Sequence, residues 1–252
     1  MKISIVGGGK VAHFVARSFF EKGHQVNQVY NRSPASGAEL AMSCGAEFVS
    51  DLNKITSNID ALFILVSDDA IAGISSEFSG KNIMQIHCSG SLPLSVLDTE
   101  SAGVIWPVYS IQKDMDAENI PLIIEAKEHN SGSVLELAKV ISNKIEQANY
   151  GQRETMHLAA VMSNNFINHL LALTKNILDK EQLSIEMLQP IIRQTIDNAL
   201  KRNPYEMQTG PAIRDDAQTI SRHMKLLKEA PDMEALYQLF TNSIQQFHKQ
   251  KK

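Results

Sequence analysis

Two periodicities divide the chain. Up to about residue 150, short apolar runs at Ile3–Val6, Gln25–Tyr30, Ala61–Val66, Ile83–His87, Val104–Ile105, Leu122–Glu125 and Ile145–Gln147 read as strands. Between them, Lys10–Lys22, Pro34–Ser43 and Gly132–Ser142 read as helices. Such an alternation of short strands and helices is the rhythm of a parallel sheet covered by helices. After Gly151 the strand signal ends. Long amphipathic segments follow at Glu154–Asp179, Ile185–Lys201, Asp216–Lys228 and Met233–Phe247, broken by Asn203-Pro204 and Gly210-Pro211. Asp216 and Asp232 stand where caps for the last two are expected. The expected fold is α/β, a parallel-sheet domain over residues 1–150 and an all-helical C-terminal domain over 151–252. A helix running through the junction would shift that boundary by several residues.

Directly after the first strand comes Gly7-Gly8-Gly9-Lys10-Val11-Ala12, with Gly7, Gly9 and Ala12 at the special positions of a G-x-G-x-x-G/A fingerprint. That pattern supplies a tight turn, close approach of backbone to a pyrophosphate, and close packing of helix on strand. Its place between a strand and a helix marks the first domain as Rossmann-like. The second strand ends at Tyr30 and is followed by Asn31-Arg32-Ser33. An acid at position 31 would suit a ribose hydroxyl and repel a 2′-phosphate; Asn31 does not repel it, and Arg32 and Ser33 offer charge and a hydroxyl. The cofactor read from these residues is NADP rather than NAD. The plainer reading is a polar loop in which Ser33 caps the helix starting at Pro34.

Other polar groups fall at the carboxyl ends of later strands, where open α/β sheets bind ligands. Ser67 and Asp68 follow one strand, and His87-Cys88-Ser89-Gly90 ends the next. Ser67, Asp68, Ser89 and Gly90 are candidate cofactor contacts, although Asp68 or Asp69 also suits a helix cap. His87 and Cys88, adjacent on a strand, face opposite ways and lack a third ligand, so no metal is expected. Cys88 also lacks an evident base, so it reads as a packed residue rather than a nucleophile. Trp106, the only tryptophan, lies beside Pro107 at the same edge.

In the helical half, His157, Val161, Asn164, Asn165 and Asn168 share one face if the helix is regular. Burying such groups demands partners, so the stripe marks either a polar cleft or a network between helices. His157 is the first candidate acid/base, and Asn165 an orienting amide. After Gly210-Pro211, Arg214 offers a bidentate anchor for an anionic group, and His223, two turns past Asp216, is a second proton carrier. A capped helix start with a surface ion pair explains the same residues.

Composition narrows the setting. The 252 residues are 43% hydrophobic and 21% charged, as in an ordinary globular protein, and the net charge of −4 offers no basic field for nucleic acid. Cys44 and Cys88 are too few for a disulfide framework, and a reducing cytoplasmic setting is expected. The apolar strand pattern starts at once and meets Gly7, leaving no room for a signal core, and no apolar run approaches the roughly 18 residues of a membrane span.

Taken together, the glycine run, Asn31-Arg32-Ser33, Ser67 to Ile71, His87 to Gly90, the His157 to Asn165 helix, and Thr209-Gly210-Pro211 with Arg214, Asp216 and His223 resemble one family. It is that of candidate NADP oxidoreductases joining a Rossmann-like domain to a helical C-terminal domain of unknown function. The chain is more distantly similar to pyrroline-5-carboxylate reductase, ketopantoate reductase and deazaflavin-dependent NADP reductases. The resemblance implies NADP at the first two motifs, a small-molecule substrate between the domains, and a helical half that builds a homodimer. Two departures stand out: Trp106-Pro107 where many relatives have His-Pro, and Val161 where hydroxyacid dehydrogenases carry a lysine four residues before an asparagine. The expected function is hydride transfer to or from a small polar substrate. The alternative is an NADP(H)-binding sensor or scaffold without chemistry.

Overall fold

The computed structural model describes residues 1–113 and 120–249. Contacts divide the chain into two compact units, the first Met1–Ser163 and the second beginning at Asn164. The division falls inside a helical run that starts at Tyr150.

The first unit is one eight-stranded sheet with helices. In chain order its elements are β1 (Lys2–Val6), α1 (Lys10–Glu21), β2 (Gln25–Tyr30), α2 (Pro34–Ser43), β3 (Glu47–Val49), β4 (Ala61–Ile64) and α3 (Asp68–Ser76). They are followed by β5 (Met84–His87), β6 (Ala102–Pro107), β7 (Leu122–Ala126), α4 (Ser131–Ile141), β8 (Ile145–Gln147) and α5 (Tyr150–Ala160). The spatial order is β3-β2-β1-β4-β5-β6-β7-β8. After β3 the chain crosses back to the far side of β1, so strand order reverses between β1 and β4. Loops leaving those two strands diverge there, and a crevice opens at their carboxyl ends.

Burial explains the strands. β4 is buried at all four positions and β1 at its last four, as expected of central strands with both faces covered. On one face α1 lays Val15, Ala16 and Phe19 into the core, where Phe19 meets Phe63 edge to face at 5.5 Å between centroids.

Three features depart from the sequence reading. β6 and β7 pair antiparallel, with Val104 opposite Glu125, in a sheet that is otherwise parallel. β3 is a three-residue edge strand, too short to display a period. α3 hides in Ser67 to Ser76 because its buried positions are only Ile71 and Ser75 amid small and polar residues of modest helix propensity.

The second unit is helical: α6 (Phe166–Lys180), α7 (Gln189–Lys201), α8 (Ala217–Leu226) and α9 (Pro231–Lys249). Asp216 caps α8 by accepting from the Thr219 amide at 3.0 Å, whereas Asp232 lies in the first turn of α9. Few of its described side chains are buried, among them Ala212, Leu227 and Thr241, while Phe166, Leu170, Leu239 and Phe240 are exposed.

The helix expected over Glu154–Asp179 is not regular. Val161–Asn165 forms a π turn between α5 and α6. A π turn takes up an extra residue and so interrupts the regular α spacing. The unbroken α spacing on which the expected stripe from His157 to Asn168 depended is therefore absent at Val161–Asn165. Asn164, Asn165 and Asn168 are all exposed. Among the described residues no helix is long and apolar enough to cross a membrane.

Candidate functional site: a dinucleotide cleft at the strand-order reversal

The crevice at the ends of β1 and β4 is a cleft of about 660 Å³. Its floor is the glycine turn. Gly7 sits at φ +130°, and a Cβ there would lie 2.1 Å from the Leu65 carbonyl oxygen, so only glycine fits between the ends of β1 and β4. Gly9 is the N-cap of α1 and has no side chain to cap it; the first helical amide with an acceptor is that of His13, bonded to the Gly9 carbonyl at 3.1 Å. The amides of Lys10, Val11 and Ala12 therefore lack intrahelical acceptors, and the first turn holds no acid. That is an anion site in the making, because unpaired donors and the positive end of the helix point the same way. Ala12 is fully buried, where a small residue lets α1 lie close on the sheet.

One wall rises from β2. Asn31 donates from its amide nitrogen to the Ser36 hydroxyl at 2.6 Å and to the Ser33 carbonyl at 3.1 Å, which ties the loop to the start of α2. Arg32 lines the cleft and is exposed. Ser33 is the N-cap of α2 by backbone position, yet its hydroxyl makes no cap bond, and Pro34 opens the helix. Ser33 is exposed and stands just outside the cleft lining.

The other wall comes from β4 and β5. Ser67 is the N-cap of α3, again with no side-chain cap bond, and Asp68 begins the helix. The Asp68 carboxylate accepts from the Ser89 hydroxyl at 2.9 Å and the Ser91 hydroxyl at 2.6 Å. The Ser89 hydroxyl in turn accepts from the amides of Ser91 and Leu92, each at 3.2 Å, so this wall is held by a closed set of bonds. Gly90 lies one residue deeper, buried. A Cβ there would meet the His157 ring at 2.6 Å and the Trp106 ring at 2.7 Å.

Those contacts place His157 in the first unit, half-buried, with its ring 5.6 Å from that of Trp106. The same helix, one turn earlier, brings in Arg153, a residue without an obvious partner in the sequence. Arg153 is completely buried and pairs with Glu125 on β7 at 2.7 Å. Separating a buried pair of this kind leaves an uncompensated charge and costs about 3–5 kcal/mol. The only signal in the sequence was spacing: Arg153 precedes His157 by four, hence the same helix face.

Electrostatics fix the protonation of this corner. His87 is fully buried; burial first, and then the Arg153 guanidinium, lower its pKa to about 4, against the opposing pull of the Pro93 carbonyl and Asp68. Its Nδ1 accepts from the Ser89 amide at 3.1 Å, so the neutral ring carries its proton on Nε2. Burial also pushes the Cys88 thiol far up, which keeps it protonated and a poor nucleophile. Among the described residues, no group of three or more His, Cys, Asp or Glu is placed to hold a metal ion.

Asn165, Arg214 and His223 belong to the second unit. Asn165 and Arg214 are exposed. His223 Nδ1 is 2.8 Å from the Tyr237 hydroxyl, and the two rings meet edge to face. Asp216 is held below the usual carboxylate range by its bonds to Thr219, helped by the charges of Arg214 and Arg222. Burial, together with the Asp216 charge, raises the Tyr237 hydroxyl.

Two family models match separate stretches of the chain. Residues 1–79 match the model of the shikimate / quinate 5-dehydrogenase family, and residues 120–244 match a domain of unknown function (DUF2520). No protein of curated function matches the chain. Among solved structures, an imine reductase from Myxococcus stipitatus in complex with NADP+ is 14% identical, with a TM-score of 0.70 over 99% of this chain and 94% of that one. A pyrroline-5-carboxylate reductase from Coxiella burnetii is 15% identical, with a TM-score of 0.55 over 98% of this chain and 97% of that one. At those identities the likeness is one of fold. A candidate NADP oxidoreductase from Bacteroides fragilis is nearer: 32% identical, with a TM-score of 0.88, covering 97% of this chain and 98% of its own. With a Rossmann-like unit, a helical unit and this relative along nearly its whole length, the chain belongs to the family of NADP oxidoreductases that the Bacteroides protein represents.

Proposed function

We propose that the chain binds NADP(H) in the cleft of the first unit and exchanges a hydride with a small polar substrate. The observation that carries this reading is the uncapped, acid-free N-terminus of α1 opening onto a cleft whose rim bears Arg32. Strand order sets the direction of the dinucleotide. The pyrophosphate rests on α1, the 2′-phosphate lies toward β2 with Asn31, Arg32 and Ser33, and the nicotinamide half lies toward β4 and β5 with Ser67, Asp68, Ser89 and Gly90. The NADP+ held by the Myxococcus relative supports the same choice of cofactor.

Hydride exchange is the chemistry the nicotinamide supplies when bound. The protein has to orient the substrate and move a proton. His157 is assigned the proton, because its half-buried imidazole stands over Gly90 at the β5 end. Asn165 as an orienting amide, Arg214 as an anchor for an anionic group and His223 as a second proton carrier rest on side-chain chemistry. The exposed apolar side chains of the second unit, Phe166 and Phe240 among them, support a homodimer in which a second copy covers them. Two free cysteines suit a reducing, cytoplasmic setting.

The test is a fluorescence titration with NADPH and NADH, followed by NADPH oxidation over a panel of imines, oxo-acids and deazaflavins. Saturable binding with a strong preference for NADPH is expected, and His157→Ala keeps that binding while losing turnover. Absence of binding to either nucleotide refutes the cofactor reading. Tight binding without oxidation of NADPH by any compound favours a sensor or scaffold instead.

A further inference from the structure

The structure assigns Arg153 a positioning role: through the buried Glu125–Arg153 pair it sets the Ser89–Gly90 loop that receives the nicotinamide half of the cofactor. The inference rests on the cofactor reading above and concerns a residue outside the cleft lining.

The geometry leaves Arg153 little else to do. Its Nε and Nη2 both donate to one oxygen of Glu125, at 3.2 and 2.7 Å. Its Nη1 donates to the carbonyl of Ser89 at 2.9 Å and to that of Gly90 at 3.2 Å. A guanidinium carries five N–H donors in a rigid plane, and four hydrogen bonds from it go here to protein groups on β7 and in the loop after β5. Turning two successive carbonyls toward one cation fixes the peptide planes of the loop. In the same loop, the Ser89 hydroxyl is bonded to Asp68 and Ser89 lines the cleft, while Gly90 lies close against the Trp106 and His157 rings. Arg153 thus holds the segment that bounds the nicotinamide end and that lies against the ring of the proposed proton donor, His157.

Lysine cannot reproduce this. Its single ammonium lacks the planar fork that spans a carboxylate and two carbonyls at once. Nor is the effect general, because among the described residues the bonds of Asn31, at the β2 and α2 end, go to Ser33 and Ser36 and not to this network. A role confined to holding the fold would weaken both ends alike, and a positioning role weakens one.

The experiment compares two ligands on the intact chain by calorimetry. NADPH occupies the whole cleft, whereas adenosine 2′,5′-bisphosphate reports the adenine end alone. Arg153→Lys is expected to weaken NADPH about tenfold, the equivalent of one charge-assisted hydrogen bond, and to leave the bisphosphate within about twofold. Glu125→Gln keeps an acceptor in place at a side chain that is 16% exposed, so it is the milder variant, and it is expected to move NADPH in the same direction by a smaller factor. Should Arg153→Lys fail to fold, Glu125→Gln decides alone. Parallel weakening of both ligands, or no change in either, overturns the role. Wild-type protein that binds neither ligand instead refutes the cofactor reading, so the two failures are distinct.

Discussion

His87 gives the structure a pH dependence that can be worked through. In the unfolded chain its imidazole titrates near 6.5, and in the fold burial and Arg153 lower that to about 4. As pH falls through 6.5 the unfolded chain takes up a proton that the folded chain refuses, so stability declines. The decline ends near pH 4, below which both states are protonated. Over the whole window the loss is about 3 kcal/mol, and between pH 7 and pH 5 it is about 2 kcal/mol. The perturbation is His87→Asn, which keeps an acceptor for the Ser89 amide and removes the titration. Replacing the ring leaves a cavity and lowers stability at every pH, but that cost cancels when each variant is compared with itself at two pH values. Carboxylates held low, Glu100 by Lys127 and Asp216 by Thr219, add acid sensitivity only at lower pH and are common to both proteins. Trp106 is the only tryptophan and lies in the first unit, so urea unfolding followed by its fluorescence reports the unit that holds His87. Wild type is expected to lose about 2 kcal/mol between pH 7 and pH 5, and the variant much less. Equal losses would refute a neutral, buried His87.

Gly7→Ala places a methyl 2.1 Å from the Leu65 carbonyl at a backbone angle alanine avoids; the first unit should lose about 3 kcal/mol or more, read from the same unfolding curves. Arg32→Ala should weaken NADPH about ten- to a hundredfold and leave NADH unchanged, since only the 2′-phosphate meets the guanidinium; a titration with both nucleotides checks it. Phe166→Glu puts a charge on an exposed apolar position of α6, and sedimentation should show dimer for wild type and a shift to monomer for the variant. A wild-type monomer at micromolar concentration would rule out the dimer.

Chemistry encoded by neighbours in sequence was legible in the sequence. Gly7 to Ala12 between strand and helix, Asn31-Arg32 after β2, and Ser67-Asp68 after β4 each depend on residues within one turn or loop. The structure brings most of them to one cleft because strand order reverses between β1 and β4. Ser33, exposed, and Gly90, buried against Trp106 and His157, stand outside its lining.

The features that went unread join distant positions. Arg153 and Glu125 are 28 residues apart, and Arg153 is 64 residues from Ser89. Nothing in either neighbourhood announces the pairing, because a charge is stable in a core only when the fold delivers a partner to it. The antiparallel turn of β6 against β7 and the π turn at Val161–Asn165 have the same origin: their residues suit regular strands and helices, and the surrounding contacts select the exception. Local backbone preference and side-chain chemistry therefore determined the alternation of elements and the glycine cradle by sequence alone. The neutral state of His87 and the grip of Arg153 on the β5 loop were decided by tertiary structure, since desolvation and Coulomb energy depend on which distant groups folding brings within a few ångströms.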